Sequence, residues 1–451
     1  MIFNNGEKMT DKNEIFEKVA KDNVKFVNLQ FTDLFGIIKN VTIGTDYLED
    51  TIDKGKWFDG SSIEGFARIH ESDMYLMPDL STYAVIPWLE SKDGNTARLI
   101  CDVYTSNDKP FEGDPRYILK KALEEAQMMG FEFNTGPELE FFLFKKENGS
   151  IKPLPHDKGS YFDLNMDHAY EVRRDMVVAT EKFGIDVETS HHEVAVGQHE
   201  IDFKYGGALK TADSATTMRF VLKAIAERHG LHATFMPKPI AGINGSGMHV
   251  HQSLFKNGEN EFFDANDPKL ISKTAKQFIA GQLKHIGAMS AITSPTVNSY
   301  KRLTPGYEAP VYISWATTNR SALIRVPAIQ KERPKAARVE LRCPDPACNI
   351  YMAFAVMLRA GLDGIKNNLE ASGPVEEDLY EFDDKKLNSL NIKQLPYSLW
   401  QAIEKMKESE LVKETLGENT FRKYIDAKTA EWDEYRLKVT PWEIERYLET
   451  Y

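Results

Sequence analysis

Four short segments, far apart in this chain, each set metal-ligating residue types two apart or nearly so. They are Gly136-Pro137-Glu138-Leu139-Glu140, His192-Glu193 with Glu200 seven on, Gly247-Met248-His249-Val250-His251, and Arg338-Val339-Glu340-Leu341-Arg342. Each reads as a strand. Residues i and i+2 of a strand share a face, so each pair aims two polar groups to one side of a sheet. A fold that honours all four segments brings five glutamates and a histidine together. Two carboxylates about 4 Å apart repel by roughly 4 kcal/mol at an effective dielectric near 20, so such a group needs positive charge within it. Hard divalent cations prefer carboxylate oxygens, and one imidazole beside them suits magnesium or manganese better than a thiolate-loving metal. The pattern predicts a two-ion magnesium or manganese centre.

With 451 residues the chain exceeds one ordinary core, and two or three domains are expected. A net charge of −12 argues against a general nucleic-acid binder. The stretch from Lys301 to Arg342 departs from that balance, with nine basic residues against three acidic ones, six of the nine being arginine. Arginine grips phosphate or carboxylate in a fork, so an anionic small ligand is implied. Three cysteines, Cys101, Cys343 and Cys348, read as core filler. Without a signal peptide or an apolar run of membrane length, the expected setting is the cytoplasm, with no membrane partner.

Residues 13–22 have helical spacing, Val24 to Ile43 alternates as a β-hairpin, and two further strands are expected at 83–88 and 97–104. Two prolines, a glycine and several acids at 107–115 mark a boundary near 110. Asp114 then reads as an N-cap with Pro115 at the first helical position, opening a helix that stops at Gly130. Helices are expected at 168–183, 212–229, 269–290, 350–366, 398–408, 418–437 and 441–448.

Around Glu138 and Glu140, the residues Leu139, Phe141 and Leu143 fall on the opposite face. In Ser190 to Glu200 the second histidine of a zincin helix is missing and Gly197 breaks the segment, so Glu193 and Glu200 are the expected ligands and His191, His192 and His199 packing or supporting groups. Asn244 to His251 is glycine-rich but is neither a P-loop nor a dinucleotide fingerprint; His249 reads as a ligand and His251 as a phosphate donor.

Seven strings in order carry a family resemblance: 58–66 (Phe-Asp-Gly-Ser-Ser-Ile-Glu-Gly-Phe), 136–142, 191–200, 244–251, 301–310 (Lys-Arg-Leu-Thr-Pro-Gly-Tyr-Glu-Ala-Pro), 319–322 (Asn-Arg-Ser-Ala) and 338–346. Together, over nearly the whole chain, they resemble glutamine synthetase of the bacterial and archaeal type I class. The resemblance implies an α+β protein with a β-grasp domain at 1–110 and a catalytic domain at 111–451. It also implies a homo-dodecamer of two stacked hexamers with active sites between subunits.

The implied reaction joins ammonium to the γ-carboxylate of glutamate, with ATP as co-substrate and γ-glutamyl phosphate as intermediate. By the same comparison one metal takes Glu140, Glu193 and Glu200, and the other Glu138, His249 and Glu340. Glutamate falls to Asn244, Gly245 and Arg302, with Arg342 near its γ-carboxylate. Arg320, Arg325, Arg338 and His251 face the phosphates, while Tyr205, Ser253 and Lys335 lie toward the nucleotide. The ammonium pocket maps onto Asp59 and Ser62 of an adjacent subunit, Tyr161 and Glu308, with Asp59 taking a proton from ammonium and Glu308 in a lid over 304–308. Asp59, Glu308, Arg320 and Arg342 thus carry the chemistry.

Asp378 to Asp383 lacks the prolines that surround an adenylylated tyrosine, which argues against modification of Tyr380. Arg68 matches an arginine linked to glutamine feedback, with nitrogen-regulatory proteins as candidate partners. A ligase for a larger amine and a non-catalytic scaffold are the competing readings. Intact Asp59, Ser62 and Glu308 favour ammonium, and the six retained ligands favour an enzyme.

Overall fold

The computed structural model describes residues 11–63, 73–147 and 150–451. The N-terminal sheet contains β1 (Val24–Thr32), β2 (Ile38–Gly44), β3 (Lys56–Asp59), β4 (Asp73–Val85) and β5 (Asn95–Thr105), in the order β2-β1-β5-β4-β3. The expected hairpin of β1 and β2 is present, and β1 runs parallel to β5 at the sheet centre. The helix Lys12–Lys21, capped by Asp11, lays Ile15 and Val19 against Val27, Leu29, Leu99 and Val103. The strand expected at 83–88 is a correction. β4 ends at Val85, and Pro87, with no N–H to give a ladder, opens a 3₁₀ turn instead. The long first part of β4 escapes an alternation search because Pro78 and a register shift between Asp79 and Ala84 interrupt it.

The second sheet is built on the long β6 (Glu132–Glu147). Around it stand β7 (Ser150–Pro155), β8 (Val187–His192), β9 (Gln198–Phe203), β10 (Gly206–Gly207), β11 (Leu231–Thr234), β12 (Met248–Lys256), β13 (Glu259–Asn260), β14 (Trp315–Ala316), β15 (Ile324–Arg325) and β16 (Val339–Leu341). Its main path is β14-β15-β16-β12-β6-β9-β8, antiparallel except for the β14–β15 pair. The architecture is α+β, as expected.

Leu139, Phe141 and Leu143 of β6 are fully buried in the core shared with the helices Ala208–Arg228, Lys273–Thr293 and Ile350–Lys366. The last of these occupies the expected residues, capped by Asn349. It crosses Lys273–Thr293 backbone to backbone: a Cβ on Gly281 would stand 2.0 Å from the Ala360 carbonyl oxygen, and one on Gly364 2.0 Å from that of Gln277. The other expected helices are present with ends shifted by a few residues, the largest shifts being at Ala208 and Lys273. No helix among the described residues is long and apolar enough to cross a membrane.

The N-terminal sheet meets two helices of the remaining chain over a buried charge cluster. Arg116, in the first turn of the helix Pro115–Met128, donates to Asp213 at 2.9 and 3.0 Å, to Asp102 at 2.6 Å and to Asp79 at 2.6 Å. Asp114 caps the same helix, accepting from the N–H groups of Arg116 and Val103. Burial and the neighbouring Asp102 push its carboxyl up to about 7.

Candidate active site

Strand register assembles the polar wall. β12 sets His249 opposite Glu138, and β16 in turn sets Glu340 opposite His251. On the other flank, β9 sets Glu200 opposite Glu140 and Asp202 opposite Glu138. Directly opposed residues of an antiparallel pair bring their Cβ atoms to about 5 Å, so four strands suffice to concentrate the acids. They line a cavity of about 710 Å³ that also receives Glu193, just past the end of β8.

On the β12–β16 side each acid has a basic partner. Glu138 meets His251 Nε2 at 2.8 Å and His249 Nδ1 at 3.3 Å. Burial opposes its ionisation, but the two histidines prevail and hold its carboxyl well below the ordinary range. Glu340 is buried between the guanidinium groups of Arg325 and Arg342. Its burial is likewise outweighed by Arg342, His249, His251 and Arg325, and its carboxyl is lowered. Glu138, His249 and Glu340, expected as one ligand set, offer ligand atoms within 4.8 Å of one another.

On the β8–β9 side the described residues supply no guanidinium, only the imidazole of His191. Among the described residues, neither lysine nor arginine pairs with Glu193, Glu200 or Asp202. Glu193 accepts from the Val194 N–H at 3.0 Å and lies 3.6 Å from His191 Nδ1, Glu200 lies 3.2 Å from His191 Nε2, and Asp202 accepts from the Thr189 hydroxyl at 2.7 Å. Burial, reinforced by Glu140, pushes Glu193 up to about 8. Burial followed by Asp202 and the surrounding glutamates raises Glu200 strongly. Asp202 itself is pushed up to about 7, chiefly by burial.

The expected set of Glu140, Glu193 and Glu200 lines this wall, yet the tight group around Glu200 consists of His191 and Asp202, all within 4.8 Å. Glu140 is drawn aside because its Oε2 accepts from Gln198 Nε2 at 2.8 Å and from the Gly247 N–H at 2.9 Å. Gly247 permits that approach, since a Cβ there would stand 2.5 Å from the Arg302 guanidinium. Asp202 and His191 stand two residues from Glu200 and Glu193, so the same i, i+2 rule could have found both. Buried acids without a resident cation, oxygen donors and one imidazole make a donor set that fits a hard divalent ion.

The three histidines of this segment diverge. His191 lines the cavity beside Glu200, a position that suits the supporting role among the two expected for it. His192 is buried, with Nε2 3.0 Å from Asp157 Oδ1. His199 is fully buried and its Nδ1 lies 3.0 Å from an Arg173 Nη1, which can only donate. The proton of His199 therefore sits on Nε2, and the nearby His156–Asp157–His199 group is not a ligand set.

Asn244, Gly245, Arg302, Tyr161, Glu308, Arg320, Arg325 and Arg342 all line the large cavity. Arg302 is buried, its guanidinium held by the carbonyl oxygens of Arg342, Cys343 and Pro344. A second cavity of about 330 Å³ shares Glu138 and Asp202 with the first and is lined by Tyr205, His251, Ser253, Lys335 and Arg338. Asp59 lies apart, exposed at the end of β3, where its carboxylate accepts from the Ser61 N–H. Arg68 and the Ser62 side chain fall outside the described residues. Asn319, Glu376, Asp378 and Tyr380 also line the large cavity. They sit in segments without strand or helix periodicity; Asn319 falls in a family string and Tyr380 is considered only as a modification site, and neither these two nor Glu376 and Asp378 are expected in the cavity from the sequence.

Residues 112–447 match the family model "Glutamine synthetase, catalytic domain" and residues 23–106 "Glutamine synthetase, beta-Grasp domain". The glutamine synthetase of Clostridium saccharobutylicum is 54% identical, the alignment covering 98% of this chain and 99% of that protein. That of Methanosarcina mazei is 52% identical, covering 98% of each. Among solved structures, Plasmodium falciparum glutamine synthetase superimposes with a TM-score of 0.87 at 26% identity, covering 98% of this chain and 99% of that one. A complex of a protein called GmaS with ADP gives 0.86 at 31% identity, covering 98% of this chain and all of that one.

Proposed function

The chain belongs to the glutamine synthetase family, and we propose on that premise that it makes glutamine from glutamate and ammonia at the expense of ATP. The observation that carries this reading is a single cavity whose lining joins two acidic groups to Arg302, Arg320, Arg325 and Arg342 and shares Glu138 and Asp202 with a second, smaller cavity. Glu138, His249 and Glu340 would hold one magnesium or manganese ion, and Glu140, Glu193 and Glu200 the other, with His191 and Asp202 supporting Glu200. Bound there, the ions supply charge neutralisation for the phosphates. The GmaS–ADP complex supports nucleotide binding by this fold, and the smaller cavity, lined by Tyr205, Ser253 and Lys335, is where we place the nucleotide.

Asn244, Gly245 and Arg302 orient glutamate, and Arg342 steers its γ-carboxylate toward the terminal phosphoryl group. Arg320, Arg325, Arg338 and His251 offset negative charge as that group moves and γ-glutamyl phosphate forms. Asp59 then removes a proton from ammonium, with Ser62 beside it and Tyr161 across the pocket. Because Asp59 stands away from its own cavity, it serves the neighbouring subunit of a dodecamer of two stacked hexamers. Glu308 closes over the acyl phosphate and keeps water out. The domain boundary near 110, the cytoplasmic setting, Arg68 as a feedback residue and nitrogen-regulatory partners belong to the same proposal.

Purified protein given glutamate, ammonium, ATP and magnesium or manganese is expected to form glutamine, and to stop when the ion is chelated. Undiminished synthesis in chelator would overturn the metal assignment. Faster ADP release with a polyamine or methylamine than with ammonium would move the activity to a different amine.

A further inference from the structure

The loop 304–308 is fixed at both ends. On its entry side Leu303 N–H donates to the Ser299 carbonyl at 3.1 Å, and on its exit side Ile313 N–H donates to that of Lys393 at 2.7 Å. Between them Glu308 has a φ of 54°, a region that a glutamate occupies only when its surroundings impose it. Glu308 Oε2 accepts from Asn244 Nδ2 at 2.7 Å, and Lys238 Nζ lies 3.6 Å from the Tyr307 ring centre.

The next residue, Ala309, is held from elsewhere: its carbonyl accepts the Tyr380 hydroxyl at 2.6 Å. The segment around Tyr380 also grips the loop that carries Arg320. Glu376 accepts from the N–H groups and hydroxyls of Thr317 and Thr318 and from Lys269. Asn319 Nδ2 donates to the carbonyls of Val375 and Glu377, and Leu379 N–H donates to the Ser321 hydroxyl. Leu379 and Phe382 pack on Val311 and Tyr312, which follow the lid. Residues 375–382 thus touch both the Glu308 loop and the Arg320 loop through different bonds.

We propose that residues 375–382 form a brace that holds the Glu308 loop and the Arg320 loop in one relative position, with Tyr380 the positioning residue that acts on Glu308. This rests on reading Glu308 as the closure over the acyl phosphate. Without the Tyr380 hydroxyl the Ala309 carbonyl is released, the strained φ at Glu308 loses a restraint, and the closed arrangement becomes less populated. One hydrogen bond of ordinary strength shifts such a balance by roughly two- to tenfold.

The test is Tyr380→Phe, which removes one oxygen, with phosphate release and glutamine formation measured side by side. Phosphate released without glutamine is expected to rise roughly two- to tenfold, and the KM for ammonium by a similar factor, while the KM for ATP and the melting temperature stay close to wild type. Glu376→Gln, which loosens the far end of the brace, should leak in the same way. Unchanged coupling and ammonium KM in both variants would overturn the brace. Glu308→Ala separates the two readings: if it leaks and the brace variants do not, the brace fails; if it does not leak, the lid itself fails.

Discussion

Arg116 and Glu200 sit in clusters of similar composition that resolve the same repulsion in opposite ways. At the junction of the N-terminal sheet with two helices, Asp79, Asp102 and Asp213 surround the buried guanidinium of Arg116, and the first two carboxyls are held below their ordinary range despite burial. In the cavity wall Glu193, Glu200 and Asp202 crowd together with only His191 beside them, and all three carboxyls are raised. Where the charge is structural, the chain carries its own cation. In the cavity wall no guanidinium among the described residues fills that role, and burial with mutual repulsion keeps the carboxyls raised, which is the setting the proposed divalent ion would relieve.

Arg116→Ala should show the largest effect. It leaves Asp79 and Asp213 without their cation at a buried position, while Asp102 keeps Lys120, and chemical denaturation should register a loss of about 3–5 kcal/mol. Glu200→Gln should do the reverse for the folded protein: the metal-free form stays as stable as wild type or gains slightly, while glutamine formation falls by about 100-fold. Equal destabilisation by both substitutions would break the comparison.

Magnesium or manganese sharpens it further. At about 100 times its dissociation constant an ion adds roughly 2.7 kcal/mol to the stability of wild type, read as a rise in melting temperature that Glu200→Gln should blunt. The smallest effect concerns Asp114 at the junction, which is pushed up to about 7 by burial and Asp102. A folded-state value above the ordinary carboxylate range means that its contribution is complete below about pH 4 and is lost as pH rises toward 7. The stability difference between wild type and Asp114→Asn should therefore drift against wild type over that interval. A flat difference would show that Asp114 titrates normally.

Strand faces around the cavity were legible because a period of two is a local property. Glu138 and Glu140 alternate with Leu139 and Phe141, and the latter two are fully buried. The helix Ile350–Lys366 was legible for similar reasons, since an Asn349 cap and a nearly unbroken apolar run leave little else for it to form. The grouping of His191 and Asp202 with Glu200 was only half legible. Their spacing is local, but Glu140 is drawn away by Gln198 and Gly247, which come from β9 and the turn before β12. The Arg116 cluster and the brace at 375–382 left no trace in any periodicity, because each bond in them joins residues tens to hundreds of positions apart.

The amino-acid order by itself determined which residues could share a face, where helices could be capped and which acids would need a counter-charge, because backbone geometry and residue chemistry set those within a few positions. Which strands became neighbours, and so which acids received an arginine and which did not, was decided only when β9 and β12 took their register on either side of β6. Electrostatic energy depends on separations of a few ångströms, and only packing creates those between distant parts of a chain.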